Sequence, residues 1–181
     1  MTTNSTKNQR IVGGRNATGP IPWQIYLTNP TNKYTRCGGT IIDRRTILTA
    51  AHCFEDEEKD GVLNTTAAAY DLYVGIVERD HSDNTPITLE SITIHERYET
   101  SAYDDIAIIK LAKPLIFNEK VGPACLPKKS YDPKAGTECF VSGWGSEEQD
   151  QKLPSKLIIT HITHTYFYNS SPNQFMSNFS C

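Results

Sequence analysis

Apolar and polar residues alternate along most of this chain with a period of two. The runs Gln24 to Leu27, Cys37 to Ile42, Thr46 to Ala51, Asp71 to Val77, Ile87 to Ile94 and Ile106 to Leu111 are short, β-branched or apolar, and set apart by Gly, Pro, Asn or Asp. That is the pattern of strands divided by turns. Alternation is clean at Leu72, Val74 and Ile76 and slips between Leu89 and Ile92, where a bulge would return the later residues to the inward face. Glu138 to Val141 and Lys156 to Thr163 predict two further strands. No segment sustains a helical apolar period over three turns, so little helix is expected. Short strands at this spacing, without internal repeats, predict an all-β antiparallel barrel or sandwich.

Composition narrows the class. With 181 residues, 38% of them apolar, the chain can bury a core of one all-β domain or part of a two-barrel protein. Eighteen basic against 21 acidic residues give a net charge of −3 without a basic stripe, so nucleic acid is not expected as a partner. The longest apolar stretches, such as Ile106 to Ile109, fall far short of the roughly 20 residues of a membrane-crossing helix, and no membrane span is expected.

Met1 to Arg10 is polar throughout and lacks the apolar stretch of a secretory signal. Five cysteines, sequons at Asn4, Asn16, Asn64, Asn169 and Asn178, and many short strands nevertheless suit an oxidising, extracellular compartment. An incomplete start to the sequence would reconcile the two.

Two segments carry candidate chemistry. His52 ends the run Leu48-Thr49-Ala50-Ala51-His52-Cys53, with small alanines before it and a cysteine after it. Cys37 lies 16 positions upstream of Cys53, and a bridge between them would close a loop worth on the order of 3 kcal/mol while fixing the imidazole. A general base needs such fixing, because a displacement of about 1 Å costs about a hundredfold in rate. A structural histidine beside a disulfide is the other reading of this segment. The second segment is Asp104-Asp105-Ile106-Ala107-Ile108-Ile109. A carboxylate at the mouth of so apolar a strand is drawn into partial burial and needs a hydrogen-bond donor, which an imidazole N–H supplies. Taken alone, it also fits a solvated acidic turn.

Together with Arg10-Ile11-Val12-Gly13-Gly14, Cys37-Gly38-Gly39-Thr40, Cys125-Leu126-Pro127 and Val141-Ser142-Gly143-Trp144-Gly145, these segments occur in the order and rough spacing of trypsin-like serine proteases. The resemblance covers residues 10 to about 160. It implies a chymotrypsin-like double antiparallel β-barrel with the first barrel complete over residues 11–122, a partial second barrel with an atypical tail over 123–181, and a propeptide-like segment over 1–10. It further implies that His52 is the general base, Asp105 its orienting partner, Arg10-Ile11 the activation bond, and Cys37 with Cys53 the disulfide beside the histidine. Cleavage after Arg10 would free an Ile11 ammonium largely protonated at neutral pH. Protein or peptide substrates, protease inhibitors and an activating protease with tryptic preference are the partners so implied.

Departure from the family follows Gly145. No Gly-Asp-Ser-Gly-Gly sequence occurs, and in that family such a loop supplies the nucleophile and the oxyanion hole. The expectation is therefore a homologue truncated before its serine and inactive by itself, or alternatively a non-catalytic short isoform acting as a binding or decoy protein. Cys125, Cys139 and Cys181 are an odd remainder, so at least one thiol stays free or pairs between chains. Half of a second barrel is expected to leave strand edges and an apolar inter-barrel face open. The acidic run Glu55 to Asp60 is expected as a solvated loop at the cleft rim. No cofactor and no metal are expected: His161 and His164, at i and i+3 on a predicted strand, point to opposite faces. Ile76 and Val77 follow Gly75 where calcium-binding relatives offer a carboxylate.

Overall fold

The computed structural model describes residues 14–56, 61–80, 83–99, 104–129, 131, 133–145 and 154–163, and the backbone of 178–180. In chain order the strands are β1 (Arg15–Asn16), β2 (Gln24–Asn29), β3 (Asn32–Asp43), β4 (Thr46–Thr49), β5 (Glu55–Asp56), β6 (Val62–Leu63), β7 (Asp71–Val74), β8 (Leu89–Ile94), β9 (Ala107–Leu111), β10 (Glu138–Gly143), β11 (Ile158–Thr163) and β12 (Asn178–Ser180). The helical elements named among the described residues are 3-10 turns at Ala51–Phe54 and Ala67–Ala69. All eight strands read from the alternation are present. The predicted slip after Leu89 is a register shift between Leu89 and Ser91 where β8 pairs β9.

Six strands form one antiparallel sheet in the order β7-β2-β3-β4-β9-β8. An antiparallel bridge between Leu72 and Ile87 joins its two ends, so the sheet curls on itself. Inside lie Ile25, Leu27, Ile41, Ile47, Leu72, Ile109 and Leu111, each fully buried. These are alternate residues on their strands, as the pleat requires. Close approach explains the glycine at position 39 of β3: a Cβ on Gly39 would stand 2.9 Å from the Leu48 carbonyl oxygen and 3.0 Å from the Ile25 side chain.

The second sheet has the order β1-β11-β10-β12. It packs on the outer face of β2, which explains why that strand is buried on both sides. Ile25 and Leu27 point into the barrel, while Tyr26 joins Ile21, Tyr73, Ile76, Trp144 and Leu157 in a separate cluster between the sheets. The Tyr26 and Trp144 rings meet edge to face at 5.3 Å, and the Trp144 indole N–H donates to the Val77 carbonyl. Ser142 donates its buried hydroxyl to Gln24 Oε1 at 2.8 Å. Trp144 and Leu157 thus cover the part of the apolar face formed by Tyr26, Tyr73 and Ile76. Backbone pairing of β12 with Phe140 to Ser142 likewise covers part of the β10 edge, a contact that the unpatterned tail sequence did not foretell.

Candidate active site

His52 owes its position to its neighbours. The chain leaves β4 at Thr49, whose hydroxyl donates to the Gly38 carbonyl at 2.8 Å, and winds into the 3-10 turn Ala51–Phe54. Ala51, Cys53 and Phe54 are buried, and only His52 of the four is turned partly toward solvent. Phe54 packs edge to face on Tyr70 at 5.1 Å, whose hydroxyl donates to the Asn64 carbonyl. Cys53 is joined to Cys37 by a disulfide. A three-residue anchor of this kind leaves the imidazole backbone little freedom.

Asp105 arrives from the other side. Asp104 takes a left-handed backbone conformation, φ +53°, which Asp tolerates better than most residues. Its carboxylate pairs with Arg97 at 3.1 Å, and the Ile106 N–H donates to its carbonyl. This turn delivers Asp105 to the start of β9, where Ala107, Ile109 and Leu111 enter the barrel core. Antiparallel pairing places Ala107 opposite Thr49. The residues just after β4 and just before β9 therefore meet at one end of the sheet.

The meeting is a two-point grip. Asp105 Oδ1 accepts the His52 backbone N–H at 2.9 Å, and Oδ2 lies 2.7 Å from His52 Nδ1. An ionised carboxylate only accepts, so Nδ1 carries the proton and the basic lone pair of the ring falls on Nε2. The two side chains keep 22% and 23% of their surface exposed, which leaves the pair accessible to a reacting group while partly desolvated.

The sulfurs of Cys37 and Cys53 lie near the His52 ring, but both are consumed by the disulfide and offer no thiolate to a metal. Cys125 is a free, exposed thiol, whereas Cys139 is disulfide-bonded. Arg10, Ile11, His164 and Cys181 lie outside the described residues.

Glu55 differs from expectation. Instead of a solvated rim residue it is partly buried and accepts a hydrogen bond from the Tyr98 hydroxyl. Burial, with the Glu55 bond and the charges of Glu55 and Asp105, pushes the Tyr98 hydroxyl far above the ordinary phenol range. The only sequence signal for this pair was a lone tyrosine after β8, which carries no periodic information.

Comparison with known proteins agrees with this geometry. The family model described as Trypsin matches residues 11–181. Bovine coagulation factor XI (Bos taurus) is 37% identical over 155 residues, covering 82% of this chain and 23% of that protein. Rat transmembrane protease serine 9 (Rattus norvegicus) is 34% identical over 145 residues, covering 79% of this chain and 13% of that protein. The chain thus spans under a quarter of the length of these two relatives. With its curled six-stranded sheet and a match along nearly its whole length, the chain belongs to the trypsin-like serine protease family.

Proposed function

We propose that this chain carries the base-and-orienter portion of a trypsin-like serine endopeptidase, with His52 as general base and Asp105 as its orienting partner. The observation that supports the reading is the two-point grip, in which one carboxylate holds both the backbone and the ring of His52. In peptide hydrolysis His52 Nε2 would take the proton of an attacking hydroxyl as its oxygen bonds to the scissile carbonyl. It would then return that proton to the leaving amine, with Asp105 stabilising the imidazolium between the two transfers. Protein or peptide substrates and protease inhibitors are the partners in this reading. Cleavage after Arg10 is its activating step, residues 11–122 its first barrel, and an extracellular compartment its setting, since the Cys37–Cys53 disulfide persists in oxidising surroundings.

The 181 residues contain no Gly-Asp-Ser-Gly-Gly sequence. Without that loop both the hydroxyl and the oxyanion-hole donors are missing, and loss of a triad member alone typically costs on the order of a millionfold in turnover. We infer that this polypeptide has no peptidase turnover of its own. Two measurements test the reading. A fluorophosphonate probe applied after cleavage at Arg10 should label no serine, and stoichiometric labelling would refute the inferred inactivity. Proton NMR should show a far-downfield ring N–H resonance from His52 that disappears in Asp105→Asn; its absence from the unmodified protein would refute the base-and-orienter assignment.

A further inference from the structure

Among the described residues, the 3-10 turn after β4 and the residue that caps it are joined to the segment between β8 and β9 by the two His52–Asp105 hydrogen bonds and also by a bond between Glu55 and Tyr98. Glu55 lies three residues after His52, and its backbone N–H donates to the His52 carbonyl. Glu55 caps the turn with extended backbone, and its side chain reaches the same neighbouring segment as that of His52. There His52 meets Asp105, and Glu55 Oε1 accepts the Tyr98 hydroxyl. Tyr98 is itself pinned to the Asp105 side. It is 7% exposed, its backbone N–H donates to the His95 carbonyl, and the His95 N–H donates to the carbonyl of Ile106, the residue after Asp105.

The Tyr98 hydroxyl has one proton and feels two carboxylates, Glu55 and Asp105. It donates to Glu55, while Asp105 holds the His52 backbone N–H on one oxygen and the ring on the other.

We propose that Glu55 and Tyr98 are a positioning pair that sets the spacing and alignment of His52 against Asp105, an inference that rests on the base-and-orienter reading for its catalytic meaning. The role assigned to the two residues is positioning, not proton transfer. The pair acts by clamping the two segments one turn away from the imidazole.

Tyr98→Phe tests this, because it keeps the buried ring and removes only the hydroxyl. Loss of one charge-assisted hydrogen bond should speed amide exchange at His52 about tenfold and broaden its downfield ring resonance, while the amides of Ile47 and Ile109 keep their protection. Glu55→Ala should match Tyr98→Phe. Glu55→Gln retains an acceptor and should restore slow exchange at His52. Unchanged His52 exchange and an unchanged ring resonance in both Tyr98→Phe and Glu55→Ala would overturn the proposal, as would equal acceleration at Ile47 and Ile109. Failure of the base-and-orienter reading is distinguishable, since it removes the resonance from the unmodified protein.

Discussion

Tyr70 shows how one side chain ties the site to stability. Its ring supports Phe54, the last residue of the turn that carries His52, and its hydroxyl is bonded to the Asn64 carbonyl. Burial, and secondarily the charge of Asp56, pushes its pKa from 10.0 up to about 12. The folded state therefore holds the proton after the unfolded chain has released it. The stabilisation is complete below pH 10 and is lost as pH rises from 10 toward about 12. Urea midpoints measured from pH 8 upward should fall across that window, and Tyr70→Phe should be less stable at neutral pH but decline less steeply. A decline of identical steepness in Tyr70→Phe would remove Tyr70 as a cause. Tyr98 and Tyr73, shifted in the same direction, contribute to decline that persists. At this scale the sequence was most legible for His52 and Asp105, because both stand in short motifs whose residue types have few other uses in combination. Glu55 was misread as solvated because a glutamate in an acidic run looks exposed until its donor, 43 positions away, is located.

Among the strands, β4 and β9 decide whether a site exists. Their register sets Thr49 opposite Ala107, and a shift of one residue would turn every side chain of one strand to the other face. His52 and Asp105 would then part. The same sheet depends on β3 passing close to β2 and β4 at Gly39. Gly39→Ala would put its methyl 2.9 Å from a backbone oxygen that cannot move independently of β4. It should lower the urea unfolding free energy by about 1–3 kcal/mol, as overpacking does in well-filled cores. A change within experimental scatter would mean that β3 can shift and that the close approach is not required. Alternation revealed where these strands lie and even the bulge after Leu89. The short pieces β1, β5, β6 and β12 escaped notice, since two or three residues cannot display a period.

For the whole molecule, the docking of the second sheet on the barrel is the controlling contact. Trp144 brings its indole against Tyr26 and its N–H to the Val77 carbonyl, and it is 6% exposed. Trp144→Ala should therefore cost about 3–5 kcal/mol and expose the outer face of β2, seen as increased binding of a hydrophobic dye below the unfolding transition. Unaltered stability and dye binding would show that the sheets hold together without it.

The amino-acid order by itself determined the all-β class, the strand positions and the residue types of the site, because period, turn residues and motif spacing are local properties of the chain. It also determined the family, through six short motifs in sequence. Tertiary structure alone decided that Asp105 grips His52 at both backbone and ring, that Tyr98 reaches Glu55, and that Trp144 closes the outer face of β2. Each of these joins segments more than 40 residues apart. Such contacts are set by how far the sheet curls and in which register its strands pair, and neither quantity is written in any one stretch of sequence.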